Sequence, residues 1–293
     1  MKKIISFMLM VMMALSLCSC GLGGNIEELT LEQSGKRIRD YESLLSWSED
    51  FADDYERWAE SGEVRKGQWY AISGKESYEY SNQDGNGQST TKISGKYYYS
   101  PYAYEQKLSL KITTSGSGYY EGERVEYTET VKIIYVEGAW YVKTETKQTT
   151  DDGKSSAVDY SSSSQNEYTA LLSVISSPLA ILDAIVVDFE DGRLYVSDEL
   201  IEWTESYSSS TGDYGSTSTK DQGIIEFEKE SIFVKSVQTY NYRRSEYSGY
   251  DYDGSYYYSS STSESTLTVK KSFFGSVSRP NDYYKYEGEV DYE

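Results

Sequence analysis

Residues 124–136 read RVEYTETVKIIYV, and the stretch alternates. Val125, Tyr127, Val131, Ile133 and Tyr135 fall on one side of a chain with period two. Glu126, Thr128, Thr130 and Lys132 fall on the other. Successive side chains of a strand point to opposite faces, so this pattern predicts a strand with one buried and one wetted face. Such strands belong to antiparallel sheets. The same grammar recurs along most of the chain, and it constrains the fold more than any other feature.

Composition agrees with this once tyrosine is set apart. The chain has 32 tyrosines in 293 residues, and its apolar fraction of 38% counts them. Taking 32 from about 111 apolar residues leaves roughly 27%, well below the near-half usual for globular chains. Disorder would follow from so few aliphatics alone. However, disordered chains are poor in aromatic and β-branched residues, and this one is rich in Tyr, Val, Ile and Thr. Tyrosine suits a half-buried sheet face, with its ring inside and its hydroxyl at water.

Along the chain, Thr30 to Ser61 reads as a helix, with Ile38, Tyr41, Leu44, Leu45, Phe51, Tyr55 and Trp58 spaced by threes and fours. Thr30 and Gln33 have the spacing of a capping box, and Gly62 is a stop. Strands are expected at 69–72, 77–81, 90–100, 102–114, 124–136 and 140–149, with turns at 84–87, 116–118, 137–138 and 152–153. The most apolar stretch outside the N-terminus is 168–186. It reads as two short helices, one holding Leu171, Leu172, Val174 and Ile175, the other opened by Pro178 and holding Leu182 and Ile185. Strands resume at 189–190, 194–196, 224–228, 232–239 and 266–274, with a turn at 191–192. Residues 206–222 and 245–265, rich in Ser, Tyr and Gly, are either long hairpin tips or solvated strands. The acidic tail 280–293 is expected to fray.

Two echoes run through the chain. Gly-x-apolar-Tyr-apolar occurs at Gly67, Gly138 and Gly192, and Gly-x-Tyr-Tyr-Tyr-Ser at Gly95 and Gly254. Either two halves are related by duplication, or hairpin starts share a grammar; their unequal separations leave both open.

Met1-Lys2-Lys3, an apolar run from Ile4 to Leu17 and a small-residue exit describe a secretory signal peptide. The run is shorter than the ~20 residues that span a bilayer. Leu17-Cys18-Ser19-Cys20 resembles the lipobox of bacterial lipoproteins. That resemblance implies a signal peptide over 1–19, lipidation of Cys20 by a diacylglyceryl thioether, a tether over 20–29 and a protein anchored outside the cytoplasm. The other readings are a secreted chain with two incidental cysteines, or an uncleaved anchor. If Cys20 is acylated, no free thiol or disulfide remains in the mature chain.

Chemistry is bounded mainly by what is missing. The chain has no histidine, so Ser-His and Cys-His nucleophiles and Cys/His zinc sites are excluded. No Gly-rich phosphate loop precedes a helix. Carboxylate chemistry remains, but no catalytic pair can be nominated among 48 acids, so a non-enzymatic protein with no cofactor is expected. Asn82-x-Asp84-x-Asn86-Gly87 has the opening of a calcium loop, but position twelve is Ile93 where Glu is needed; a hairpin turn is the better reading, and no metal site is expected. The Tyr triplets at 97–99 and 256–258 suit either platforms for sugars or peptides or cross-strand packing. Formal charge is −20, and removing residues 1–19 takes two lysines with it, so nucleic acid is not an expected partner and anionic membranes should repel the chain.

These elements predict an α+β fold: one domain over 30–279 with a large curved antiparallel sheet, an N-terminal helix and two short central helices on its apolar face. The order of elements and the lipobox together resemble the lipoprotein-localisation carriers and their mycobacterial lipoprotein relatives. The resemblance implies an incomplete barrel closed by helices, with acyl chains bound between. Two functions are therefore carried forward, both for a chain held at the membrane by its N-terminal lipid. One is binding of a hydrophobic or amphipathic ligand. The other is a surface interaction protein that presents a Tyr/Ser/Thr-rich sheet face to an envelope protein or glycan. An open apolar cleft would favour the first and a filled interface the second. No ligand-binding residue can be named from sequence.

Overall fold

Period-two alternation becomes long strands over most of the described residues. The computed structural model describes residues 26–60, 67–101, 103–120, 122–162, 192–210, 215–231, 233–250 and 256–286. A short strand β1 (Lys36–Ile38) is followed by helix α1 (Tyr41–Glu60). A first meander then comprises β2 (Gln68–Asn82), β3 (Gly85–Ser100), β4 (Glu105–Tyr120), β5 (Glu123–Val136), β6 (Ala139–Thr150) and β7 (Gly153–Ser161). A second comprises β8 (Arg193–Val196), β9 (Leu200–Ser210), β10 (Gly215–Phe227), β11 (Val234–Tyr250) and β12 (Tyr256–Ser272). All twelve strands form one antiparallel sheet in the order β1-β8-β9-β10-β11-β12-β2-β3-β4-β5-β6-β7. The sheet is not closed; β1 and β7 are its edges.

The helix begins later than its periodicity suggests. Residues 30–35 are not helical, because Gln33 (φ 53°) and Gly35 (φ 91°) leave the right-handed region. The backbone N–H groups of Glu32 and Ser34 instead donate to the two carboxylate oxygens of buried Glu202, at 3.0 and 2.8 Å. The cap is Asp40, whose Oδ1 accepts the N–H of Ser43 at 2.8 Å, and not Thr30 with Gln33. From there α1 crosses one face of the sheet. Phe51 meets Phe227 of β10 with ring centroids 4.9 Å apart, and Tyr55 lies beside Tyr99 of β3. Twenty residues at 1.5 Å give ~30 Å. The six strand spacings from β1 to β2 come to ~29 Å. The helix therefore has the length needed to join the edge strand to the start of the first meander.

Each long strand has two unlike ends. At the end beneath α1, here called proximal, the covered face carries Ile72, Tyr97, Leu108, Leu110, Ile133, Ile201, Ile225, Val237 and Val269. All are buried in one cluster with Phe51, against which Leu44, Trp47 and Trp58 pack. Tyr70 and Tyr97, directly paired and fully buried, stack at 6.2 Å. Towards the distal end the same face turns to Tyr, Ser, Thr and Gly.

Several boundaries differ from the sequence expectation. Residues 69–72 and 77–81 belong to one strand. Gly116 and Gly118, expected in a turn, lie inside β4. The stretches 206–222 and 245–265 are largely strand, and so is 200–210. The Asn82 side chain accepts the N–H groups of Asp84 and Gly85 at 3.0 and 2.9 Å, which makes that stretch an Asx-stabilised hairpin turn. The tail does not fray before Tyr286, which is buried edge-on against Tyr141 and Tyr160 on the face opposite α1. One helix longer than a single turn occurs among the described residues; the two expected at 168–186 lie outside them, as does Cys20.

Candidate binding surface

Register builds a trough at the distal end of the first meander, on the face that α1 covers proximally. One row across β2–β5 reads Tyr78, Ser89, Gly116, Tyr127, and the next Tyr80, Gly87, Gly118, Val125. Small residues on the two inner strands thus form a floor, and aromatic or β-branched residues on the outer two form walls. The rings lean inward over the glycines. A Cβ on Gly87 would sit 2.5 Å from the ring of Tyr80, and one on Gly116 would sit 2.7 Å from that of Tyr127. These are directly opposed pairs, so glycine is required for the rings to lie down. The same device recurs at Gly215 under Tyr247, Gly223 under Trp203 and Gly249 under Tyr257.

The result is a hollow of about 240 Å³ lined by Tyr78, Tyr80, Ser89, Gly118, Val125 and Tyr127, among others. Tyr78 and Tyr80 stack at 6.1 Å along one wall. Ser89 is 1% exposed, and neither its hydroxyl nor the buried hydroxyl of Tyr127 has a hydrogen-bond partner. An unpaired buried hydroxyl is costly unless a partner arrives. Aromatic walls, a floor without bulk and hydroxyls awaiting partners can receive a flat, polyhydroxylated or amide-bearing group. Acid–base chemistry has a weaker place. Glu205 and Asp221 are directly opposed on the same face, but neither lines this hollow.

The tyrosine triplet at 97–99 is not a platform. Tyr97 is core, Tyr99 lies under α1, and Tyr98 packs on Trp69 at 5.0 Å on the opposite face. In the second triplet Tyr256 meets Tyr250 edge-on at 5.3 Å and Tyr257 covers Gly249. The trough escapes a linear reading, since its residues come from four strands. One signal was present: Tyr80 and Gly87 stand symmetrically about the 83–84 turn, and Gly116 and Tyr127 about 121–122.

No protein-family model matches the chain, and comparison with curated proteins finds no match. Among solved structures, the transport unit of the autotransporter AIDA-I from Escherichia coli matches at a TM-score of 0.27 and 8% identity, covering 78% of this chain and 98% of that one. The beta domain of the Bordetella autotransporter BrkA gives 0.20 and 8%, covering 71% and 99%. The translocator domain of NalP from Neisseria meningitidis gives 0.15 and 6%, covering 77% and 97%. Scores this low carry no argument about this chain's fold or activity.

Proposed function

We propose that this chain is a non-enzymatic interaction protein, anchored outside the cytoplasm by lipid on Cys20, that binds glycan through the distal Tyr/Ser/Gly trough. The observation that supports this most is Ser89, a fully buried hydroxyl without a partner on the floor of an aromatic hollow. A sugar ring stacks on tyrosine faces and supplies hydroxyls to the floor. The hydrophobic-ligand reading has less to draw on. The proximal apolar face is filled by Trp47, Phe51 and Trp58, and the second lid it requires, 168–186, lies outside the described residues.

Saturation-transfer NMR of the full chain with a panel of soluble neutral oligosaccharides tests the proposal. At least one should receive magnetisation, and Tyr80→Ala or Tyr127→Ala should weaken its binding tenfold or more while the strand circular dichroism stays unchanged. No transfer from any sugar, or transfer indifferent to both substitutions, rejects it.

A further inference from the structure

Charge is segregated across the first meander. Strand parity places every lysine of β2–β6 on the face opposite α1, together with Arg124. The α1 face of the same strands carries the acids Glu76, Glu123 and Glu129 and no base. The helix adds Glu42, Glu49, Asp50, Asp53, Asp54, Glu56 and Glu60 to that side, against one arginine. The lysine face of these strands also holds Glu79, Glu105, Glu126 and Glu145, four acids against eight lysines and Arg124, so a chain of net charge −20 has one face that is net basic.

Register brings these lysines into direct opposition. Lys111 faces Lys132, and Lys132 faces Lys143, across three neighbouring strands; Lys75 faces Lys92 one row away. Like charges directly opposed destabilise a sheet. Glu145 pairs with Lys143 at 2.8 Å and reaches Lys132 at 3.8 Å. Among the described residues, Lys92, Lys96 and Lys111 are exposed and have no ion pair. Three unpaired lysines beside a pair that shares one glutamate, in a chain with 48 acids to draw on, break a local rule, which is where a function is to be sought.

The occupant is indicated by where the chain enters. Residues 28–34 cross this same face over β9 and β10, held by Glu202 and by an ion pair between Glu28 and Lys220. The five residues from Gly21 to Asn25 span at most ~18 Å. Given a lipid on Cys20, which is the reading of the preceding section, the face that residues 28–34 cross is the one turned to the bilayer, and the lysines of β3–β5 lie four to six strand spacings, about 19–29 Å, along that same face. We infer that this face docks on anionic lipid headgroups, whose phosphates neutralise Lys92, Lys111 and Lys132, while the acidic helix side is turned away. A single lipid modification holds a protein more firmly when a basic patch adds a second contact. Net charge alone predicts repulsion from such a surface; segregation of charge reverses that for one orientation. It leaves the distal trough on the outward side.

The test is vesicle sedimentation of the full chain with phosphatidylglycerol/phosphatidylcholine vesicles and with phosphatidylcholine alone. The readout is the ratio of the two partition coefficients, which insertion of an apolar segment does not change. The ratio should exceed ten at low salt and fall towards one in 0.5 M salt. Lys92→Ser/Lys111→Ser/Lys132→Ser should lower it at least tenfold, with a urea midpoint equal to or above that of the unmutated chain, since repulsion is relieved. A ratio near one at low salt, or one unchanged in the triple variant, overturns the inference. So does tighter binding to free polyphosphate than to vesicles, or salt-sensitive self-association blocked by the triple substitution. The ratio is measured again with Cys20→Ser. Loss of acyl labelling on Cys20 in mass spectra bears on the anchor alone, so the two readings fail separately.

Discussion

Asp221 shows how one side chain sets a pH dependence. It stands directly opposite Glu205 on the α1 face, half-buried, with the Trp203 side chain donating a hydrogen bond to it. Burial, and then the charge of Glu205, pushes its carboxyl up to about 6. In the unfolded chain the same group ionises near pH ~3.9. Between these values the unfolded state sheds its proton first, so stability falls as pH rises from about 4 to about 6 and stays reduced above. A shift of two units corresponds to ~2.7 kcal/mol, and partial exposure lowers this to about 1–2. Asp221→Asn should therefore stabilise the protein by about 1–2 kcal/mol at pH 7.5 and by little at pH 4, read from urea midpoints. An equal gain at both pH values would assign the effect to packing instead of ionisation.

At the scale of elements, α1 and the strands beneath it hold the fold. Phe51 is 4% exposed and touches Trp47, Trp58 and Phe227, whereas Leu45, six residues earlier in the same helix, is 42% exposed. Phe51→Ala should cost about 3–4 kcal/mol and Leu45→Ala less than about 0.5, measured by chemical denaturation. Comparable costs would mean that the helix does not depend on its buried face. Elements with strong local signals were legible in the sequence. Residues 124–136 alternate cleanly, and Glu137-Gly138 takes the paired positive φ of a type I′ hairpin, 55° and 79°. The helix starts later than its periodicity implies because Ile38 fits the helical spacing, yet Glu202, 168 and 170 residues from Ser34 and Glu32, claims the backbone N–H groups before it. Gly116 and Gly118 look like a turn because the ring that requires their smallness belongs to another strand. The trough and the lysine face were hidden for the same reason. Each lysine sits unremarkably in its own strand, and only the register sets Lys111, Lys132 and Lys143 side by side.

At the scale of the whole molecule, the described strands form a single sheet with a stability gradient along them. Aliphatic side chains and the helix gather at the proximal end, so backbone hydrogen bonds there lie under buried apolar surface. At the distal end, tyrosines such as Tyr207, Tyr247, Tyr250 and Tyr256 are exposed, and the ladders are flanked by Ser, Thr and Gly. Hydrogen bonding continues along the full length of each strand, so the geometry of the ladder does not itself distinguish the ends. What differs is the apolar area that must be exposed for a segment to open, and that area sets the free energy of local opening. Burial of two further aliphatic side chains per strand segment corresponds to roughly 3 kcal/mol, or about a hundredfold in opening equilibrium. Within β2, amides at 70–74 should therefore exchange with solvent deuterium about a hundred times more slowly than those at 78–82, and β11 should divide likewise between 234–240 and 244–250. The distal trough would then be the part of the sheet able to open around a ligand, and an added ligand should slow exchange in that half alone. Uniform protection along β2 and β11 would show that the twelve strands open only as one unit, and the division into a stabilising end and a binding end would have to be abandoned.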